Sequence, residues 1–442
     1  MRGLGVDAYL VGGAVRDERL GLESKDADFV VPGVDYDGLR KLLEPHGHVE
    51  DLEVAGRQVG ARLYPRDQKL RRVAPAGIEF APPRAERSTG PARHDFEIVA
   101  DPSLSIEDDM ARRDFTVNAM ARRLETGELV DPFHGSEDLE RGVLRTVGPR
   151  SFAEDPLRIV RGLRLVSQLG LEPDQPTLDQ MREQAAGVRL VSAERVGGGL
   201  RADGMGELSK LLLGRRPTRA LLLGRDTGVL VALLPEFEDA IGFDQDSERQ
   251  TLPLDEHIFA VVQAAADGGA SLAVRLAALF HDVGKPGAQG DHAQRGARLA
   301  GEALGRLRYP TRLRLQVTRI VRAHAFPLDH VDELFARRFL REHGDELAFD
   351  LVAHKEADLL GKQVPKEELE AASRLRSLLE QERARPHRLK DLAVDGSDLI
   401  ELGYREGPDL GRALESLLDA VVEDPDLNTR EQLLERARRQ FA

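Results

Sequence analysis

The spacing of apolar residues changes near residue 150, and this limits the fold more than any other feature. Before that point apolar runs are short and bounded by Gly, Asp or Pro, as in residues 8–13 (AYLVGG) and 28–31 (DFVV), which is how strands are punctuated. AVRDERLG, between these two runs, has helical spacing, and 58–63, 77–81 and 128–130 are further predicted strands. From Ala153 onward, stretches such as DPLRIVRGLRLVSQLG and SLAVRLAALFHDVG place apolar residues three and four apart, which predicts helices. The expected fold class is therefore α+β, a small mixed-sheet head followed by an all-α remainder. Breaks at Pro and Gly near 214–217, 235–242 and 365 divide it into 1–149, 150–215, 216–382 and 383–442. No 20–50-residue repeat and no low-complexity tract interrupts this order.

With 442 residues, 41% of them hydrophobic, two to four structural units can each bury a core. The chain has no Cys, which excludes disulfides and thiolate metal sites. MRGLGVDAYLVGGAVRD lacks the apolar stretch of a signal peptide, and no apolar run approaches about 20 residues, so no membrane partner and a cytoplasmic location are expected. The formal charge of −14 argues against a polyanionic partner taken alone, yet six arginines and no acid lie in 306–322. Arg112, Arg113, Arg122 and Arg123 form a second basic patch. Solvated helix faces are the plainer reading of either patch, since the arginine count alone decides nothing.

In LVGGAVRDERLGLESKDADFVV, a strand runs into Gly12-Gly13 and a helix follows with Arg16 and Asp17. Paired glycines ahead of a helix let backbone N–H groups approach a phosphate, although most such pairs are only tight turns. Asp26 and Asp28 flank Ala27 at the next strand, and the two-residue period puts both carboxylates on one face. Two hard oxygen donors so placed suit a pair of Mg²⁺ ions roughly 3.5–4 Å apart. A strand-entry turn with two exposed acids is the structural alternative.

GGAVRD and KDADFVV together resemble the opening signature of class II tRNA nucleotidyltransferases and bacterial poly(A) polymerases. RRDFTVNAM (112–120), DPFHGSEDL (131–139), EDPLRIVRGLR (154–164) and SAERV (192–196) resemble the next four signatures, in the family's order. The resemblance implies that Gly12, Gly13 and Arg16 meet the triphosphate and that Asp26 and Asp28 hold Mg²⁺. Glu79 stands where the family has a third carboxylate, although Pro82-Pro83 departs from the usual pair that follows. Arg113 and Asp114 would lie near the incoming sugar, supported by Asn118. Residues 150–215 become a neck for base recognition and RNA binding, and 383–442 a helical tail meeting tRNA. The implied partners are CTP, ATP and a tRNA 3′ end, and the implied reaction is template-independent addition of CCA. A poly(A) polymerase, or a relative adding only CC or only A, shares all five signatures, and the 84–108 loop and the neck divide these classes.

Asp155 and Arg158, three apart on an apparent helix, are predicted neighbours on one face. Cytosine and adenine each offer an exocyclic amine beside an acceptor nitrogen, which a carboxylate and a guanidinium match. Uracil and guanine would set a carbonyl against the carboxylate, a mismatch worth on the order of 10⁴ in a dry site. Arg161 and Arg164 continue the series and are expected at phosphate or ribose.

LAALFHDVGKP carries adjacent His281 and Asp282, with His257, His292, His324 and Asp358 around them in sequence. Imidazoles and carboxylates together suit a transition metal that activates water. The order His257, His281-Asp282, Asp358 resembles the HD phosphohydrolase superfamily, which implies a helical HD body over 216–382 and a second divalent metal. It is read either as an accessory phosphohydrolase or as a helical RNA-holding module. A chain that is mainly an HD phosphohydrolase, or a non-enzymic RNA-binding protein, would need incidental carboxylates at 26 and 28.

Overall fold

The computed structural model describes residues 6–23, 27–54, 57–88, 96–199, 203–245, 251–287, 290–362 and 365–441. Asp26 lies outside the described residues. Residues 1–238 with 307–309 form one compact unit; 239–306 and 310–442 form another.

The first unit is built on seven strands: β1 (Tyr9–Val11), β2 (Asp28–Val30), β3 (Gly47–Val54), β4 (Arg57–Pro65), β5 (Ile78–Ala81), β8 (Ala121–Arg123) and β9 (Leu129–Val130). They lie in the order β3-β4-β5-β2-β1-β8-β9. Every pairing is antiparallel except β2 with β5, so the sheet is mixed, as expected. Alternation along each strand feeds two cores, one per face. Val31, Ala61, Leu63 and Phe80 pack with Leu39 and Leu43 from the helix Tyr36–Leu43. Tyr9, Val11 and Val30 pack with Ile106 and Met110 from the helix Ile106–Ala111. Because both faces are covered, the polar residues of β2, β4 and β5 stand out of pattern, and these are the ones that gather at the site.

β3 and β8 are strands that the sequence did not announce, because charged residues interrupt their apolar alternation. The 84–108 region is not a plain loop: β6 (Arg84–Ser88) and β7 (Phe96–Ala100) pair antiparallel there, ahead of the helix Ile106–Ala111. After residue 150 the unit is helical, with Leu157–Leu169, Glu207–Leu212 and Pro217–Asp226 among its helices.

Helices make up the second unit, principally Leu254–Asp267, Leu272–Phe280, His292–Arg306, Thr311–Ala323 and Asp345–Lys362. Every residue from Ala273 to Phe280 is buried, so that helix is central. No helix among the described residues is long and apolar enough to cross a membrane.

Candidate active site and metal centre

Asp28 opens β2 and pairs in register with Glu79 on the parallel strand β5. Glu79 in turn lies opposite Arg62 on β4, and the two form an ion pair. Register partners project to the same side, so Asp28, Glu79 and Arg62 share one face of the sheet. All three line a cavity of about 590 Å³ together with Arg161, Glu194, Arg195, Glu207 and Lys210. Arg62 is a site residue that sequence reasoning missed, since only the strand register sets it against Glu79.

The glycine turn lies beside this cavity-lining strand, at the end of β1. Gly12 has φ 71°, a left-handed conformation, and a Cβ there would stand 2.4 Å from Arg113 Nη1. Gly13 begins the helix Gly13–Arg19. Arg16 Nη1 donates to Asn118 Oδ1 at 2.5 Å, Asn118 Nδ2 donates to Asp114 Oδ1 at 3.0 Å, and Arg161 pairs with Asp114 at 3.0 Å. The structure thus brings together four residues named from three separate signatures. Burial alone would push Asp114 up; Arg161, Asn118 and the Phe115 N–H outweigh it and hold the carboxyl below its usual range. Arg112 and Arg113 both pair with Asp109, which has no exposed surface, while Arg122 pairs with Glu18 and Arg123 with Asp7. Each arginine of the second basic patch is thus engaged by an acid within the protein, Arg112 and Arg113 sharing one.

Asp155 and Arg158, expected as neighbours on one helical face, are arranged differently. Asp155 is not on the helix: it precedes Pro156 and is extended (φ −142°, ψ 100°), as a residue ahead of proline tends to be. Its Oδ1 accepts from Leu157 N at 3.0 Å, and its Oδ2 pairs with Arg195 at 3.0 Å. Arg158 is buried, donating to Arg112 O at 2.8 Å and Ser151 Oγ at 3.2 Å. The partner of Asp155 across the cavity edge is thus Arg195 of SAERV rather than Arg158. Arg164 is half-buried and pairs with Glu207 at 3.1 Å, whereas Arg161 does reach the cavity.

Glu194 and Arg195 belong to a single π-helical turn, Glu194–Gly198. Its approach to residues 307–309 is close: a Cβ on Gly198 would stand 2.0 Å from Arg308 O. Only glycine permits that contact, and the Arg308–Glu194 ion pair at 3.1 Å closes it.

In the second unit five helices converge. His257 comes from Leu254–Asp267, His281 and Asp282 follow Leu272–Phe280, His292 starts the next helix, His324 ends Thr311–Ala323, and Asp358 lies on Asp345–Lys362. His257 and His281 present Nε2 atoms 3.2 Å apart, and each lies 3.4 and 3.6 Å respectively from Asp358 Oδ1. Asp282 divides its oxygens: Oδ2 faces His257 and His281 at 3.4 and 3.2 Å, and Oδ1 faces His292 and His324 at 3.4 and 3.6 Å. Two groups could each hold a metal ion, namely His257, His281 and Asp282, and Asp282, His292 and His324. Nδ1 of His281 lies 2.8 Å from Ala278 O and that of His324 2.7 Å from Val321 O, contacts that suit Nδ1–H donors and leave Nε2 for a cation. Burial would push His281 down, yet Asp282 and Asp358 raise it to about 9, because the buried carboxylates draw positive charge.

His354 was missed. It stands one helical turn before Asp358, fully buried, its ring 5.1 Å from that of His281 and 5.6 Å from that of His324. Both its ring nitrogens are buried without a hydrogen-bond partner. The four-residue interval to Asp358 was the available signal.

Similarity to known proteins follows the same layout. The poly A polymerase head domain matches residues 8–145, the "Probable RNA and SrmB- binding site of polymerase A" 170–241, and tRNA nucleotidyltransferase domain 2 299–437. The multifunctional CCA protein of Nitrosospira multiformis is 33% identical over 326 residues, covering 72% of each chain. The chain belongs to the multifunctional CCA protein family. A second relative, from Methylobacillus flagellatus, is 34% identical over 344 residues, 75% of this chain and 77% of its own. The CCA-adding enzyme of Bacillus stearothermophilus, solved in complex with CTP, superposes with a TM-score of 0.70 at 25% identity, covering 100% of this chain and 95% of that one. As a member of this family, the chain is a class II nucleotidyltransferase.

Proposed function

We propose that this CCA-family enzyme completes or repairs tRNA 3′ ends in the cytoplasm, adding C, C and A from CTP and ATP. The observation that carries the reading is the register pairing of Asp28 with Glu79 at a cavity edged by Arg161, Arg195 and Lys210. Hard carboxylate oxygens there fit Mg²⁺, and Asp28, with Asp26 two residues earlier, would hold it. Bound there, Mg²⁺ supplies charge neutralisation for the triphosphate and a lowered pKa for the RNA 3′-hydroxyl.

The RNA 3′-oxygen bonds to the α-phosphorus, the bond to the bridging oxygen breaks, and pyrophosphate leaves; the hydroxyl proton passes to solvent. Gly12 and Gly13 with Arg16 cradle the triphosphate, and the Arg16–Asn118–Asp114–Arg161 network sets the ribose side of the cavity. Asp155 accepts from the exocyclic amine of cytosine or adenine, with Arg195 or a released Arg158 donating to the ring nitrogen. The test supplies tRNA ending before C, CC or CCA with labelled CTP or ATP. Ordered addition that stops at CCA is expected, and Asp28→Ala abolishes it. Long adenylate tails select a poly(A) polymerase instead, and arrest after CC or addition of A alone selects a restricted relative.

A second reading concerns the histidine–aspartate cluster, whose two triads sharing Asp282 and unpartnered His354 nitrogens fit a divalent metal. Bound there, the metal supplies a water of lowered pKa. Water attacks a terminal 2′,3′-cyclic phosphate, one ribose P–O bond breaks, and the proton ends on the freed hydroxyl. Asp282→Ala should remove hydrolysis while CCA addition persists; absence of bound divalent ion in the purified chain, with no stimulation by added metal, refutes it.

A further inference from the structure

We propose that Arg295, Arg298 and Arg322 form a cleft for the phosphodiester backbone of an RNA 3′ end whose terminal phosphate lies at the histidine–aspartate cluster. This rests on the phosphohydrolase reading above. The cleft is a cavity of about 540 Å³ lined by Asp291, Gln294, Arg295, Arg298 and Arg322. Its link to the cluster is the helix His292–Arg306, which carries Arg295 and Arg298 and begins with His292. His257, His281, Asp282, His324 and Asp358 have side chains at most 6% exposed, whereas His292 is 32% exposed, so a substrate reaches the cluster past His292. Arg295 is three residues after His292 on the helix His292–Arg306, so the two side chains are neighbours, and Arg322 reaches the same cavity from the helix Thr311–Ala323.

The charge there is unspent. Arg295 and Arg322 have no carboxylate partner among the described residues, and Arg295 Nε is buried without a hydrogen-bond partner. Arg298 pairs with Glu302, but both side chains are more than half exposed, at 59% and 55%, and such a pair exchanges at little cost. Asp291, the one acid at the rim, has Oδ1 occupied by the Gln294 N–H at 3.0 Å. The backbone makes room as well. Gly287 in the loop after His281-Asp282 has φ 69°, and a Cβ there would stand 2.7 Å from Arg295 Nη1.

One bidentate guanidinium suffices for a lone phosphate. Three of them, drawn from two helices around an open volume of this size, instead match successive backbone phosphates. RNA 3′ ends are also the substrate proposed for the first unit, so one molecule would present both chemistries with a polyanion.

A pentaribonucleotide with 4-thiouridine next to a 2′,3′-cyclic phosphate end, photo-crosslinked to the full chain in EDTA, tests the cleft without turnover. Crosslinked peptides within 284–324 are expected, reduced on the order of tenfold in Arg295→Ala/Arg322→Ala, which removes two phosphate contacts. Crosslinks confined to 1–238 overturn the proposal. With metal added, KM for the pentamer should lie on the order of tenfold below that for 2′,3′-cyclic CMP, and the double variant should bring the ratio near one. A ratio that survives the double variant also overturns it. Should no divalent metal elicit hydrolysis while the 284–324 crosslinks persist, the phosphohydrolase reading fails and the cleft stands. Hydrolysis with equal KM for both substrates and no such crosslinks leaves the opposite result.

Discussion

Asp109 is the strongest single handle on the nucleotide site, although no signature names it. It has no exposed surface and accepts from Arg112 Nε at 2.8 Å and Arg113 Nη2 at 3.0 Å, both arginine side chains being 17% exposed. Asp109→Ala removes the carboxylate that both guanidinium groups share in a largely dry place. Breaking a buried pair by removing one partner costs about 3–5 kcal/mol, and burial already pushes Arg113 below its ordinary value. The loss reaches the site because Arg113 packs over Gly12 and donates to Asn118 O at 3.4 Å. Glu18→Ala is the control: Glu18 also pairs with an arginine, but at 53% exposure, so about 0.5 kcal/mol or less is expected. The opening free energy of β1 and β8 amides, measured by native-state hydrogen exchange, reports the first unit separately from the second. A loss below about 1 kcal/mol in Asp109→Ala would refute the claim that these charges are buried and mutually dependent.

Four further outcomes follow from the same geometry. Gly12→Ala meets both a positive φ and Arg113, so it should cost at least about 1–2 kcal/mol in the same exchange assay and lower nucleotide incorporation more than tRNA binding. Asp109 and Asp114 are held below the usual carboxylate range by their arginines despite burial, so their stabilisation is present above about pH 4 and fades as pH falls through the lower folded values. Urea midpoints of the first unit between pH 6 and 2 check this, and Asp109→Asn should flatten the slope. Arg195→Ala removes the partner of Asp155, and single-nucleotide incorporation with CTP, ATP, UTP and GTP should show reduced discrimination; an unchanged profile argues that the ion pair is only structural. His354→Leu removes two unpartnered buried nitrogens, so metal-free protein should gain about 1–3 kcal/mol while its affinity for a divalent ion falls; a gain without lost affinity shows that His354 serves no metal.

The readings that held from sequence are those where a motif fixes its own local geometry. Gly12-Gly13 ahead of a helix, and His281-Asp282 at a helix end, lie where the local pattern puts them. Asp155 and Arg158 show the limit of that logic. Their spacing suggested one helical face, but Pro156 holds Asp155 outside the helix and Arg158 turns inward to Ser151 and Arg112 O. The arginines at 112–123 show a different limit: Arg112 and Arg113 share an acid three and four positions away, and Arg122 and Arg123 meet acids about a hundred positions away, which no local count of charge reveals.

By itself the sequence determined the mixed-sheet head, the helical remainder, and the types of group available for chemistry, because apolar period and short motifs act over a few residues. Tertiary structure alone decided which of those groups meet. Strand register set Arg62 against Glu79 and Asp28, five converging helices put His354 among the predicted histidines, and glycine-thin packing against 307–309 fixed the turn that carries Arg195. Contacts of that kind depend on how elements stack, and side-chain packing settles the stacking only once the whole unit is folded.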